Sequence, residues 1–257
     1  MPLERALSKL GLASRTESRA LLRAGRVRVN GRIVCDPLEP VVPETLRLTI
    51  DEIPARRPAP VLIAFNKPRG VVTTRTDPNG RQTVYDFLKN VPSHVIPVGR
   101  LDLASTGLLL LTNDTRLADW LTDPANGLVR RYLVTVRGEL ADDEVSRLVQ
   151  GIDDQGERLT AAHIAIRKRS GRETHLVVDL VEGRNREIRR MFGALGREVT
   201  RLKRVTFAGI ELGDLAPGQW QYISPDQYPD SLPKIRSRPR RRNGETGRSS
   251  GRQSRDK

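Results

Sequence analysis

The sequence predicts an α+β protein in two unequal parts, a small N-terminal helix-and-hairpin module and a larger domain around a mainly antiparallel, mixed β-sheet. From Val61 to about Asp226, strand-like runs are separated by turns, with short helices interspersed irregularly. A chain of 257 residues suits one large domain or two ordinary ones and is long enough to bury a core. The predicted boundaries are residues 1–50 for the module, 51–60 for a linker, 61–228 for the larger domain and 229–257 for a tail.

The N-terminal module carries clear start and stop signals. Apolar residues recur at helical spacing over residues 3–10, and Gly11 is suited to end that helix. A second helix begins after an S-x-x-E capping box at residues 14–17. The dipeptide Asn30-Gly31 between two apolar runs then predicts a tight β-hairpin. The order is therefore helix, helix, hairpin.

Arginines are concentrated on this second helix and its hairpin. A solvated basic face would explain any one of them, but six within 18 residues favour contact with phosphate groups. The predicted RNA-binding residues of the module are Arg15, Arg19, Arg23, Arg26, Arg28 and Arg32.

The larger domain contains eight candidate strands and four candidate helices. The helices are predicted to begin near Val84, Asp114, Asp142 and Asn185. The strands are the runs VLIAFNK, GVVTT, GLLLLTN, YLVTVRG, HIAIRK, THLVVDLVE, EVTRLKRVTFAG and QWQYIS.

The net charge of +14 is unevenly distributed, with +4 in residues 1–50, +8 in residues 231–257 and only +2 between them. A phosphate-bearing partner is therefore expected, and the two ends of the chain supply most of the attraction. The segment 51–60 has three prolines and is predicted to be a linker. The tail has little to bury, so we expect it to be disordered, either as a solvated segment or as an electrostatic tether to RNA.

Several classes of protein are disfavoured. A single cysteine, Cys35, cannot form an internal disulfide, which fits a reducing compartment. The three histidines lack metal-ligand spacing, and no apolar run approaches the roughly 20 residues needed to span a membrane. We expect a cytoplasmic protein with no membrane partner and no metal.

Four motifs in the larger domain carry candidate chemistry. The stretch GRLDLASTGLLLLTND, residues 99–114, places Asp102 between Arg100 and an apolar run, where either a surface turn or catalysis would explain a carboxylate. The others are KPRG, which begins at Lys67, RRYLVTVRG, which contains Tyr132, and EGRNREIRRMFGALG, residues 182–196. The last forms an amphipathic helix with arginines near its N-terminus, where the helix dipole disfavours cations. RNA phosphate or a buried carboxylate should compensate.

These motifs, in this order, resemble those of the pseudouridine synthases that modify ribosomal RNA. The segment GLASRTESRALLRAGRVRVNG resembles the alpha-L, or S4-like, RNA-binding module that precedes the catalytic domain in one branch of that family. The resemblance runs from about residue 3 to residue 226. It implies an S4-like RNA-binding domain followed by a pseudouridine synthase domain.

The resemblance also implies roles for individual residues. Asp102 is the catalytic carboxylate, supported by Arg100; Tyr132 stacks on the target base. Arg189 pairs with the aspartate and Ile188 forms an apolar wall beside it. The KPRG turn adds Lys67 to the RNA-binding residues. Many relatives have His-Gln where this chain has Arg186-Glu187, so the resemblance assigns those two no role.

The implied reaction breaks the N-glycosidic bond of a uridine, turns the base and rejoins it through C5, which requires no cofactor. The carboxylate could attack the base, attack the sugar or deprotonate the sugar. The uridine must be flipped out of its stack, and the site must exclude water, for which residues 108–111 and Ile188 are suited. We expect a monomer that acts on 23S large-subunit ribosomal RNA.

Other functions fit parts of the sequence. The target could instead be 16S small-subunit RNA. A non-catalytic RNA-binding assembly factor would account for the module and tail, but not for Asp102 in a site that faces RNA. A glycosidase or nuclease is disfavoured because paired carboxylates and acidic metal-binding clusters are not evident.

Overall fold

The computed structural model describes residues 1–43, 45–56, 58–88, 91, 94–229 and 232. These residues form two α+β domains, each with its own sheet and apolar core. Within the described part of the chain, no helix combines the length and apolarity needed to cross a bilayer.

The N-terminal domain packs two helices against a four-stranded sheet in the order β2-β1-β3-β4. Its elements are α1 (Leu3–Lys9), α2 (Arg15–Arg23), β1 (Val27–Val29), β2 (Arg32–Ile33), β3 (Leu48–Ile50) and β4 (Ile53–Pro54). The predicted capping box is present, because Ser14 Oγ accepts from the Glu17 amide and Glu17 accepts from the Ser14 amide. Asn30 and Gly31 both adopt positive φ between β1 and β2, as a tight hairpin turn requires.

The linker prediction for residues 51–60 is wrong over its first half. Asp51 and Glu52 form a turn with positive φ, and β4 pairs with β3 to complete the small sheet. Ala55 packs on the core of this domain. The prolines suggested an extended linker, but Pro54 lies in a two-residue edge strand, where a missing amide is tolerated. The N-terminal domain therefore extends to about residue 55.

The larger domain is built on a nine-stranded mixed sheet with the order β11-β12-β8-β13-β7-β5-β15, to which β6 and β14 add at β7 and β13. Its helices are α3 (Thr115–Thr122), α4 (Asp142–Gln150) and α5 (Glu187–Ala194). Its strands are β5 (Leu62–Lys67), β6 (Ile96–Pro97), β7 (Thr106–Thr112), β8 (Arg130–Arg137), β9 (Ile152–Asp154), β10 (Glu157–Leu159), β11 (His163–Arg169), β12 (Glu173–Leu180), β13 (Val199–Phe207), β14 (Ile210–Glu211) and β15 (Trp220–Tyr222).

One parallel pairing, between β7 and β13, makes this otherwise antiparallel sheet mixed. The two strands approach closely at Gly107, which pairs with Arg204 and has a φ of +98°. A Cβ at position 107 would lie 2.1 Å from the Arg204 carbonyl oxygen, so only glycine fits. This junction sits two residues after the turn that carries Ser105 and fixes where that turn lies relative to β13.

The sheet separates two apolar layers. Leu109 and Leu111 of β7 pack into a core with Tyr132 and the apolar face of α5, whereas Leu108 and Leu110 point into a second core that α3 covers. All four leucines are fully buried. An unbroken apolar run is what a strand covered on both faces requires.

Some local predictions differ from the structure. The run GVVTT forms only an isolated bridge, between Val72 and Thr83, and the predicted helix near Val84 is a single 3-10 turn. The hairpin of β9 and β10 was not predicted. The tail was expected from residue 229, yet Leu232 is buried in the second core. The rest of the predicted tail lies outside the described residues.

Candidate active site

Asp102 lies in a turn just before β7, and three groups from residues 67–73 hold that turn. The Gly70 amide donates to the Leu103 carbonyl at 2.8 Å, and Thr73 Oγ1 donates to the Leu101 carbonyl at 2.9 Å. Lys67 Nζ donates to the Ser105 carbonyl at 2.9 Å. The backbone on both sides of Asp102 is therefore fixed, while its side chain stays one-third exposed.

The structure corrects the prediction that Lys67 binds RNA. Its side chain is fully buried, and its ammonium donates to the carbonyls of Pro68 and Ser105. Burial lowers the pKa of Lys67 from 10.5 to about 8, opposed by the nearby charge of Asp102. A side chain in this position cannot reach a phosphate, but it brings a positive charge beneath the Asp102 turn.

Asp102 opens into a cleft of about 620 Å³ between its turn, the start of β8 and the segment that leads into α5. Its apolar wall comprises Val98, Leu101, Leu180, Ile188, Leu202 and Phe207. Arg100 and Tyr132 also line this cleft. The structure therefore brings Asp102, Arg100, Tyr132 and Ile188 together from three separate parts of the chain.

The arginine nearest to Asp102 is Arg186, whose Nη1 lies 3.8 Å from the carboxylate Oδ2. The resemblance had assigned this pairing to Arg189, which instead donates from Nη1 to the Val199 carbonyl at 2.7 Å. Burial lowers the pKa of Arg189, and its buried Nε has no hydrogen-bond partner among the described residues. Arg189 thus lies behind the site and acts on Asp102 only through space.

Backbone geometry explains why Arg186 reaches the carboxylate. It precedes α5 with a φ of +50°, in the left-handed region that a non-glycine residue rarely adopts. No sequence signal marks this conformation, so the residue was missed. Carboxylates face two of the arginines at this end of α5, because Asp102 faces Arg186 while Asp154 and Glu157 bind Arg190, but all three are partly exposed and not buried as predicted.

Tyr132 is 8% exposed, so its ring is mostly packed and presents a small surface to the cleft. Deeper in the cleft, the guanidinium groups of Arg130 and Arg204 lie 4.7 and 4.9 Å from the centre of the Phe207 ring. Both arginines are buried, and Arg130 donates to the carbonyls of Leu128 and Val181. This cluster makes a rigid, positively charged inner end.

A second carboxylate, Glu187, also lines the cleft. It is 4% exposed, and its Oε2 accepts from the Arg184 amide at 3.1 Å. Burial raises the pKa of Glu187 above its usual value. Its position at the first turn of α5 explains how a buried acid is accommodated, because the helix N-terminus favours negative charge.

The expectation that residues 108–111 keep the site dry is wrong. These leucines are committed to the two cores on either side of the sheet, and none of them lines the cleft. They anchor the strand that follows Asp102. The apolar wall of the cleft, which includes Ile188, provides the dry surface instead.

In the N-terminal domain, four of the six predicted RNA-binding arginines are engaged with carboxylates. Their partnerships are Arg19 with Glu4, Arg26 with Asp51, Arg28 with Glu52 and Arg32 with Glu39. Arg15 and Arg23 are exposed on α2, and no ion pair reaches them within the described part of the chain. The basic face is thus smaller than the sequence suggested.

Comparison with known proteins identifies the family to which the chain belongs. Residues 61–194 match the model of the RNA pseudouridylate synthase family, and residues 1–45 match that of the S4 domain. This chain is a member of the RNA pseudouridylate synthase family. The expected order of an S4 domain and a synthase domain is confirmed, and the cleft around Asp102 lies in the synthase domain.

Relatives of this synthase cover nearly its whole length. It is 34% identical over 227 residues to "Ribosomal large subunit pseudouridine synthase B" of Bacillus subtilis, covering 88% of this chain and 93% of the relative. It is 36% identical over 223 residues to an "Uncharacterized RNA pseudouridine synthase" of Aquifex aeolicus, covering 86% and 90%. A crystal structure of a pseudouridylate synthase shares the fold, with a TM-score of 0.61, 24% identity and coverage of 88% and 97%.

Proposed function

We propose that this synthase converts a specific uridine of large-subunit ribosomal RNA to pseudouridine, with Asp102 as the catalytic carboxylate. The observation that carries the proposal is the fixed turn of Asp102 in a cleft that has an apolar wall and also contains Tyr132. Most of its best-matching relatives are named for the large subunit.

Different residues of the cleft bind the base and exclude water. The target uridine flips out of its stack, and the Tyr132 ring contacts the base, since aromatic stacking contributes about 1–3 kcal/mol per base. Ile188 and Leu101 shield the detached base from water. The isomerisation breaks the N1–C1′ bond, forms the C5–C1′ bond, and moves a proton from C5 to N1.

Positively charged side chains surround the Asp102 carboxylate. Arg186 lies 3.8 Å from its carboxylate, and buried Lys67 and Arg189 act from behind. An ionised carboxylate can attack the base, attack the sugar carbon or deprotonate the sugar, and all three routes need the same placement beside the flipped nucleotide.

RNA outside the cleft contacts the S4 domain, where Arg15 and Arg23 on α2 are exposed and no ion pair among the described residues reaches them. Arg19, Arg26, Arg28 and Arg32 add to this surface, although each shares its charge with a carboxylate. We expect the enzyme to work as a monomer, which light scattering of the purified protein would test.

The target is tested by mapping pseudouridine in ribosomal RNA from a strain that lacks this gene. The proposal expects one pseudouridine to disappear from large-subunit RNA and to return with the wild-type gene but not with Asp102→Asn. Loss of a position in small-subunit RNA would reassign the target, and an unchanged map would refute the proposed function.

A further inference from the structure

The half of the large sheet formed by β11, β12, β8 and β13 has one face that the active site does not use. Along β8, Arg130, Tyr132, Val134 and Val136 are buried on the side of the cleft and first core. By strand alternation, Arg131, Leu133, Thr135 and Arg137 point the other way. We call this opposite side of the four strands the outer face.

The strand pairings place a defined set of side chains together on the outer face. Leu133 pairs with Val177 of β12 and with Lys203 of β13, while Thr135 pairs with His175 and Arg201. Lys168 of β11 lies beside His175. Leu133 and Val177 are half-buried, so the described residues leave the middle of this face open.

The outer face is basic. Of its two carboxylates, Asp179 is neutralised by Arg131 at 2.7 Å, while Glu173 lies at the end of β12, 3.0 Å from His175 Nε2 and paired across the strands with Arg137. In contrast, Arg201, Lys203 and Lys168 are exposed, and no ion pair among the described residues reaches them. Positive charge is therefore unneutralised at both edges of this half-sheet, about 14 Å apart over three strand spacings.

This pattern identifies the kind of partner. The positive side chains flank the half-buried pair Leu133 and Val177, and such a basic surface is suited to bind a polyanion. The outward side chains of these strands include no Phe, Tyr or Trp, so base stacking does not contribute and contact is with phosphates. The strongly basic segment 233–257 has the same sign of charge and does not complement this surface.

We propose that the outer face is a second RNA-binding surface, which holds a part of the ribosomal RNA remote from the target uridine. The proposal rests on the proposed function, since it takes the substrate to be a large RNA. A short RNA in the cleft, on the opposite side of the sheet, cannot occupy both surfaces. Arg201 and Lys203 thus contribute to affinity for long RNA without reading its sequence.

The test compares Arg201→Glu/Lys203→Glu with the wild-type protein in binding a large-subunit ribosomal RNA transcript at several salt concentrations. We expect the Kd to rise about tenfold and the slope of log K against log salt to fall by about 1.5, as for two lost phosphate contacts. A short fragment around the target should show a much smaller change. Arg147→Glu, at an exposed site on α4, is the control for one charge reversal away from the outer face, and Lys203→Glu alone is its match in net charge. Thermal melting checks folding.

Several outcomes would overturn the proposal. One is wild-type affinity for the transcript in the double variant, and another is an equal loss with Arg147→Glu. Normal binding to free RNA with weakened binding only to the assembled particle would assign the face to an acidic protein instead. Pseudouridine formation by the wild-type protein is scored separately, so a failure of the proposed function is distinguished from a failure of this surface.

Discussion

Lys67 offers a quantitative test of how the Asp102 turn is built. Its ammonium is fully buried under that turn, and burial lowers its pKa from 10.5 to about 8. The gap corresponds to about 3 kcal/mol between the charged and neutral forms in the folded state. Because the folded pKa lies below the unfolded one, the unfolded chain binds more protons between these values. The contribution of Lys67 to stability therefore rises with pH in this window.

The perturbation is Lys67→Met, which keeps an unbranched side chain and removes the titration. Other groups titrate identically in both proteins, so the difference in unfolding free energy isolates Lys67. From pH 7 to pH 9.5, wild type should gain about 2 kcal/mol relative to the variant. The variant also loses donors to the carbonyls of Pro68 and Ser105, a cost that does not depend on pH.

The assay is urea unfolding at each pH, followed by the fluorescence of Trp120 and Trp220, which both lie in the synthase domain. A constant difference between the two proteins would show that the pKa of Lys67 is not depressed. If the unfolding free energy of Lys67→Met rose relative to wild type as the pH increased, the pKa of Lys67 would be raised and not lowered by folding.

Three further predictions concern the cleft and its support. Gly107→Ala should lower the free energy of unfolding by about 3 kcal/mol or more, because its Cβ would lie 2.1 Å from the Arg204 carbonyl oxygen. Gly31→Ala, which has open space around it, should lower it by only about 1–2 kcal/mol, and thermal melts would measure both. Tyr132→Ala should lower kcat/KM by an amount that corresponds to about 1–3 kcal/mol, whereas Tyr132→Phe keeps its ring and should keep the stacking contribution. Equal losses of kcat/KM in the two variants would argue against stacking. Arg186→Gln should lower kcat about tenfold, which corresponds to about 1.4 kcal/mol, with little change in melting temperature, since the side chain is half exposed. A kcat equal to that of the control Arg147→Gln, at an exposed site on α4 outside the cleft, would remove Arg186 from the site.

Local signals in the sequence predicted most of the fold. The capping box at Ser14, the Asn30-Gly31 turn and the apolar run of β7 each specify their structure through nearest neighbours, and all three are present. The short pairings did not follow from the sequence. Two residues are enough to form β4 because they add to the existing edge at β3. A strand this short has no periodicity that the sequence could reveal.

In the candidate site, too, the sequence predicted local motifs but not the contacts between distant segments. Asp102, Tyr132 and Ile188 were placed in one cleft through their motifs. The partner of Asp102 was misassigned, because Arg186 reaches it only through a left-handed backbone conformation. Lys67 was predicted to face RNA, since a basic turn is usually exposed. Its burial depends on carbonyls of the Asp102 turn, which are distant in sequence.

The central claim is that Asp102 performs the chemistry. The most direct measurement is pseudouridine formation in a large-subunit ribosomal RNA transcript by the purified Asp102→Asn protein, with Asp119→Asn on the exposed side of α3 as the matched control. We predict that Asp102→Asn binds the transcript nearly as well as wild type and forms no pseudouridine, while Asp119→Asn is fully active. Pseudouridine made by Asp102→Asn at the wild-type position would contradict the account.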